Sequence, residues 1–596
     1  MSSPTDTYLL LRAFVQELTR CGMRAACTSP GSRCTPIVLS LAGEPRLRCY
    51  SHIDERCSGF FALGLAKASG LPVAVTCTSG TAVAELYPAV IEAHQARVPL
   101  IVLSADRPPE LRESGAGQTI DQLKLFGGAA KWFFEVGNHE ATPQRLRWVR
   151  TLACRSYWTA LQGAPGVVHL NFPLREPLLC DDPLPEDHTA RSRGEPYLRR
   201  LSADQSAPKN PVGETSQLGE LIAGARRGLL IAGRHERHDA LGQAAAEFCK
   251  ALGWPLLADP LSRARQGEHA IAHYDALLRD AEFAQAMEPD LILRVGDLPT
   301  SKPLRTWLAG LSDATPQVSL DPEDAYQDPD AKLWSSFALQ PARTLHELTG
   351  TPQLQSIQAD RQWLERWRRA DAAAQTAITE QLDACGLCEP AVAAELGRLL
   401  DGSCTLFVAS SMPVRDIETF WAARGDPPRV LCNRGANGID GTISSAFGAS
   451  ASDQGPVVLL IGDVAFAHDL GGLLAARRLN LKLTIVLLNN GGGGIFDFLA
   501  VSGSQAALKG DLYTTHIATP TGLDFSLAGS LYGLAYVCVQ DIPSLQTALE
   551  GALAGSGSSI IEVRSERTNN VAVHRQLWEA VKEGIASVAD GAPSPQ

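Results

Sequence analysis

At 596 residues and a formal net charge of −12, the chain is long enough for three or four domains of roughly 100–200 residues each. Apolar residues make up 45% and charged residues 20%, a balance that excludes a disordered chain, a collagen-like fibre and a long coiled coil. The acidic surplus argues against a nucleic-acid binder, which would carry a basic face.

The longest apolar runs, 457–461 and 483–488, fall far short of a bilayer span. Residues 1–12 lack the basic start and apolar core of a secretory leader. A cytoplasmic protein without an integral membrane segment is expected. The 14 cysteines are scattered, and a reducing compartment would keep them as thiols. Cys385-Gly-Leu-Cys388 has no second pair or nearby histidine to complete a zinc site, so both read as ordinary thiols.

In chain order, residues 1–180 alternate helical patterns with short apolar strands. Residues 9–18 have helical periodicity, and 25–28 form a short strand ending in Ser29-Pro-Gly-Ser-Arg33. Residues 56–68 make a small-residue helix. Strands follow at 73–77, ending in Thr78-Ser-Gly-Thr81, at 100–104 and at 167–171. Such alternation implies βαβ units and a parallel sheet. Residues 181–213, rich in Pro, Asp, Arg and Ser, read as a linker. A central α/β domain occupies 214–350, with strands at 228–232, 291–295 and 318–320 and a helix at 239–252. Its first strand leads only into Gly233-Arg-His, so a dinucleotide fingerprint is absent.

Residues 351–388 contain a connecting helix, 358–379, whose tryptophans pack inward while its arginines stay solvated. The third domain spans 389–575, with strands at 405–409, 430–432, 457–461, 483–488 and 560–563. Residues 576–596 form a C-terminal helix and a Pro/Ser tail. The expected fold class is α/β, with three open, mostly parallel, doubly wound sheets.

The sharpest chemistry lies in the third domain. Strand 457–461 runs into Gly462-Asp463, and strand 483–488 into Asn489-Asn490-Gly491-Gly492. In open α/β sheets, ligands bind beyond the carboxyl ends of the strands. Asp463 and Asn490 are 27 positions apart, a strand–helix–strand distance that brings them to neighbouring strand ends. A carboxylate, an amide oxygen and a backbone carbonyl are hard ligands of the kind Mg²⁺ takes when it also holds phosphate oxygens. A lone Gly-Asp is usually a simple turn. Paired with Asn-Asn-Gly-Gly at this distance, it reads as a metal–diphosphate site.

This pairing resembles the diphosphate motif of thiamine diphosphate enzymes, which also need a glutamate at the start of an apolar helix in a separate pyrimidine-binding domain. Glu55, in His52-Ile-Asp-Glu-Arg56, fits that description. The likeness extends to Ser29-Pro-Gly-Ser-Arg33, Cys77-Thr-Ser-Gly-Thr81, Ser104-Ala-Asp-Arg-Pro-Pro-Glu110, Asn433-Arg-Gly-Ala-Asn-Gly-Ile-Asp-Gly441 and Asn570-Val-Ala-Val-His574. Together these resemble the 2-succinyl-5-enolpyruvyl-6-hydroxy-3-cyclohexene-1-carboxylate synthase family of menaquinone biosynthesis, most weakly in the central domain. Two positions depart from its pattern: Gly471 stands where an asparagine is expected, and Gly494 where some members carry glutamine.

The resemblance implies pyrimidine (1–180), central and diphosphate (389–575) domains, thiamine diphosphate, and Mg²⁺ with Mn²⁺ as an alternative. Its reaction joins isochorismate to the unit left when 2-oxoglutarate loses carbon dioxide, in a homodimer or dimer of dimers with each cofactor between subunits. Glu55 would be catalytic, hydrogen-bonding the cofactor's pyrimidine ring. Asp463, Asn490 and Gly492 would hold the metal, and Ser411, Gly462 and Ile495 would border the cofactor. The two substrates carry four carboxylates, so fixed cations are needed. Arg33, Arg107, Arg415 and Arg434 stand in strand-end motifs, and Lys302 in Thr300-Ser-Lys-Pro303. Ser32, Gln118 and Ser411 are neutral hydrogen-bonders from the same motifs, and Ile495 and Phe496 line the pocket. The cofactor motifs alone would also permit a 2-oxoacid decarboxylase or an acetohydroxyacid synthase; Arg33, Arg107 and Arg434 favour the synthase. A catalytically silent scaffold would have no need of Glu55, Asp463 and Asn490 together.

Overall fold

The computed structural model describes residues 3–191, 194–199, 212–237, 239–323, 325–355 and 357–589. Residues 200–211 of the expected linker and the tail after Gly591 lie outside the described residues. The first sheet has β1 Ala25–Thr28, β2 Arg48–Ser51, β3 Val73–Cys77, β4 Leu100–Asp106, β5 Ala130–Glu135 and β6 Val167–Pro173. The second has β7 Gly228–Ala232, β8 Leu256–Ala258, β9 Leu291–Val295, β10 Gln317–Leu320 and β11 Leu333–Phe337. The third has β12 Thr405–Val408, β13 Arg429–Leu431, β14 Val457–Gly462, β15 Thr484–Asn489, β16 Ala535–Val539 and β17 Ser559–Arg564. Neighbouring strands pair in parallel in the first sheet, the second and the third.

The strand orders are β2-β1-β3-β4-β6-β5, β11-β10-β9-β7-β8 and β13-β12-β14-β15-β17-β16. The first and third sheets therefore share one topology. In each, the chain steps outward after its first strand and returns on the other side, so the order reverses between β1 and β3 and between β12 and β14. Ligands of doubly wound sheets bind in the crevice at such a reversal. The Ser29–Arg33 and Thr78–Thr81 turns lie at the first crevice, and Ser411 and Asp463 at the other.

The chain divides into two compact units. One is Met1–Ser206 with Asn433–Gln454 and His468–Leu483; the other is Ala207–Cys432 with Gly455–Ala467 and Thr484–Gln596. Within the first, the helix Glu55–Ser69 is capped by Asp54, whose carboxylate accepts the Cys57 N–H at 3.1 Å. This helix packs on the helix Thr442–Ser450 almost backbone to backbone. A Cβ on Gly64 would stand 1.9 Å from the Ser445 carbonyl oxygen, and one on Gly448 2.0 Å from that of Phe61. Only glycine permits this approach, which holds Glu55 at a fixed helix start.

In the second unit, the helix Arg361–Cys385 buries Trp363, Trp367, Ala370, Ala374 and Ile378 on one face. Its arginines 361, 366, 368 and 369 are exposed. The helix is thus amphipathic, with its tryptophans packed inward and its arginines solvated. Cys385 ends it and Cys388 opens the next helix; both are free thiols. No helix among the described residues is long and apolar enough to cross a membrane.

Candidate active site

Asp463 directly follows β14 and Asn490 directly follows β15, and these strands are neighbours. The Asp463 carboxylate accepts the Gly492 N–H at 2.8 Å and the Val464 N–H at 2.9 Å. Burial nevertheless pushes its carboxyl up to about 6. Gly492 has φ +133°, and a Cβ there would stand 2.4 Å from the Ala518 carbonyl oxygen. No other residue fits this turn. The Asn490 Oδ1 is buried with no hydrogen-bond partner, which is a marked cost unless something accepts its lone pairs. One carboxylate, one free amide oxygen and the carbonyls of a glycine turn form a donor set that fits Mg²⁺ completed by phosphate oxygens. Among the described residues no cluster of three His, Cys, Asp or Glu offers a competing metal site.

Behind this turn lies a buried polar group that sequence reasoning missed. Asn490 Nδ2 donates to Glu389 Oε1 at 2.9 Å, and Ser565 Oγ donates to the same oxygen at 3.0 Å. His574 Nε2 and Asp416 Oδ1 are 2.9 Å apart, and His574 Nδ1 lies 2.8 Å from the Asn570 carbonyl oxygen. Burial, assisted by Asp416, pushes Glu389 up to about 7. Burial also raises Asp416. It pulls His574 down, but Asp416 more than compensates and leaves the imidazole above its ordinary value.

Ser411 precedes the helix Met412–Phe420 with φ 76° and ψ −132°, a region that residues with a Cβ rarely enter. Its carbonyl accepts Arg415 Nη1. Ile495 is half-buried and Phe496 exposed just beyond the glycine turn. A Cβ on Gly494 would stand 2.7 Å from Asn490 Nδ2, so the position that departs from the family pattern is one where a side chain would press on Asn490. Lys302 is exposed at the start of the helix Lys302–Gly310, next to its Ser301 cap.

In the first unit, burial raises the Glu55 carboxyl, with smaller contributions from Asp54 and Glu85. Glu55 lies near enough to Cys34 and Cys77 to add to the burial that raises both thiols. Cys77 is the last residue of β3 and Cys34 follows the turn after β1. Arg33 is buried, with Nη1 donating to the Leu174 carbonyl at 2.8 Å and Nη2 to Glu176 at 2.9 Å, while its Nε has no partner. Arg107 Nη1 donates to Ser79 Oγ. Burial and then the charge of Arg33 lower Arg107, so two guanidinium groups share one neighbourhood. Gln118 joins them: its Nε2 donates to the Ser79 carbonyl, and its backbone carbonyl accepts from Ser79 Oγ, both at 3.0 Å. Ser32 is exposed on the Arg33 turn.

Arg434 is half-buried on the turn that follows Asn433. The Glu92 carboxylate holds that turn by the N–H groups of Gly435 and Ala436 at 2.8 and 2.6 Å. The buried Lys67 ammonium lies 3.6 Å from Glu92. At Gly471 a Cβ would come no closer than 3.5 Å, to Cys57 Sγ, so a larger residue would fit there.

Three family models match the chain. They are the N-terminal domain of thiamine pyrophosphate enzymes over residues 10–125, the middle domain over 196–408, and the C-terminal domain over 416–563. A solved Mycobacterium smegmatis protein, described as a thiamin diphosphate-dependent enzyme, shares the fold with a TM-score of 0.67. It is 19% identical, over 92% of this chain and 98% of that one. The chain is thus built as a thiamine pyrophosphate enzyme with three parallel sheets.

Curated relatives are more specific. A Geobacillus kaustophilus protein is 43% identical over 582 residues, covering 96% of this chain and 98% of the relative. One from Listeria monocytogenes is 39% identical over 97% and 98%, and one from Chloroflexus aurantiacus 40% identical over 96% of each. All three bear the same name, and the chain belongs to their family, the 2-succinyl-5-enolpyruvyl-6-hydroxy-3-cyclohexene-1-carboxylate synthases.

Proposed function

We propose that this chain decarboxylates 2-oxoglutarate with thiamine diphosphate and adds the remaining succinyl semialdehyde unit to the ring alkene of isochorismate, a step of menaquinone biosynthesis. The observation that carries this reading is the oxygen-lined turn at Asp463, Asn490 and Gly492, in a chain near-collinear with synthases of that name. By the family resemblance the assembly is a homodimer or dimer of dimers, with each cofactor between subunits.

Thiamine diphosphate, when bound, supplies the carbanion-stabilising chemistry that decarboxylation and carbon–carbon bond formation require. The chain's residues supply orientation and charge. Asp463, Asn490 and the Gly492 carbonyl would hold Mg²⁺ or Mn²⁺, and Ser411, Gly462 and Ile495 would border the cofactor. Glu55, its carboxyl raised by burial, holds the proton it shares with the pyrimidine ring; a raised carboxyl makes that sharing easier. Arg33 and Arg107 bind the carboxylates of isochorismate. Their mutual repulsion in the free protein is relieved when an anion enters. Arg415, Arg434 and Lys302 answer the remaining substrate charge, Ser32 and Gln118 donate neutral hydrogen bonds, and Ile495 and Phe496 keep water from the reacting carbons.

The test is an assay of purified protein with thiamine diphosphate, Mg²⁺, 2-oxoglutarate and isochorismate, followed by isochorismate loss. Loss that requires all four components is expected. Carbon dioxide release with isochorismate untouched would instead identify a 2-oxoacid decarboxylase.

A further inference from the structure

The side chain of Asn490 has a right and a wrong way round. Its Oδ1 can ligate a cation, whereas its Nδ2, carrying only donors, repels one. The two presentations differ by a half-turn about χ2, a soft torsion with two similar wells. Something must therefore choose between them before a cation arrives.

Glu389 is 1% exposed, in the first turn of the helix Glu389–Leu399. Its Oε1 accepts both Asn490 Nδ2 at 2.9 Å and Ser565 Oγ at 3.0 Å. Both bonds enter Oε1, which acts as an acceptor in each, so it meets the amide through Nδ2. Oδ1 is then the free end, and it is the buried, unpartnered atom. Gly494 leaves room for the same end of the amide: a Cβ there would stand 2.7 Å from Nδ2 and 3.8 Å from Oδ1. We infer that Glu389 is a positioning residue: it fixes the amide of Asn490 so that oxygen, not nitrogen, is offered to the divalent cation of the cofactor. This rests on the reading of Asn490 as a cation ligand. Outer partners of metal ligands commonly act in this way, and their loss lowers metal affinity about 10- to 100-fold.

The experiment measures Mn²⁺ affinity of the full-length protein with thiamine diphosphate present, by the electron paramagnetic resonance signal of free Mn²⁺. Glu389→Ala should weaken Mn²⁺ about 10- to 100-fold. Glu389→Gln keeps the volume, can present either end, and should weaken it less; it carries the test should Glu389→Ala fail to fold. The decisive readout is the same substitution in an Asn490→Asp background. A carboxylate has two equivalent oxygens and no wrong way round, so Glu389→Ala should there cost no Mn²⁺ affinity. Equal losses in both backgrounds would mean that Glu389 only supports the local structure, and no loss in the wild-type background would end the inference. Asn490→Ala separates the two claims. Unchanged Mn²⁺ affinity in that variant would refute Asn490 as a ligand, whereas a loss there with none in Glu389→Ala would refute the positioning role alone.

Discussion

Arg33 and Arg107 stand at strand ends of the same sheet but are held differently. Arg33 spends two of its nitrogens on Leu174 and Glu176, whereas Arg107 hangs from one serine hydroxyl. Losing a charged hydrogen bond costs roughly 1.5–3 kcal/mol, or about one to two decades of affinity. Arg107→Ala should therefore raise the Michaelis constant for isochorismate about 10- to 100-fold and leave thermal unfolding unchanged. Arg33→Ala should do the same to isochorismate and also lower the unfolding midpoint, because a buried carbonyl and a carboxylate lose their donor. Steady-state kinetics and melting curves of both variants check this, and unchanged isochorismate kinetics would remove both arginines from the substrate site.

Ser411 offers a separate test at the same scale. Its backbone sits in a region that costs about 1–3 kcal/mol for a residue with a Cβ. Ser411→Gly should raise the unfolding midpoint and Ser411→Ala should not; a fall with glycine would mean that the backbone at Ser411 is not strained. The proposed site residues legible in the sequence are those with a local signature: Asp463 and Asn490 through their spacing, Glu55 through its motif. Glu389 and Asp416 carry none. Their partners Asn490 and His574 lie 101 and 158 positions away, and only the fold brings them together.

At the scale of elements, the strands that the sequence conceals follow one rule. β2, β5, β8, β11 and β16 all lie at sheet edges. Four of them are partly exposed, with burial alternating or incomplete along the strand, so they lack the continuous apolar run of a central parallel strand. β8 is fully buried but only three residues long. The central strands β3, β4, β14 and β15 were legible because nearly every residue in them is buried.

One cross-strand contact gives a pH prediction. His169 on β6 lies 2.7 Å from Ser104 Oγ on β4, its ring against Phe126 and Phe133. Burial pulls its imidazole down to about 3, against an ordinary value of about 6.5. The folded protein then binds fewer protons than the unfolded chain between those values. The stability it contributes is full above pH 6.5 and is lost as pH falls towards 3, by up to about 1.4 kcal/mol per pH unit. Urea unfolding at pH 5 and 7.5 should show a steeper acid loss in the wild type than in His169→Gln. Equal losses would mean that His169 is charged in the folded protein.

Taken whole, the molecule repeats one sheet topology at its two ends in sequence, with the proposed acid Glu55 on one repeat and the proposed cation ligands on the other. A net charge of −12 would repel four substrate carboxylates, so binding depends on cations gathered at the crevices. If each cofactor sits between subunits, Glu55→Gln and Asp463→Ala, each inactive alone, should regain activity when mixed under conditions of subunit exchange. Exchange shown by differently tagged chains, without recovered activity, would mean that each site is built within one chain. The most direct test of the synthase reading is a carbon balance. With 2-oxoglutarate labelled in its four retained carbons, carbon dioxide release and isochorismate loss should be equal, and the label should appear covalently joined to the isochorismate ring. Label recovered as free succinic semialdehyde, with isochorismate intact, would contradict it.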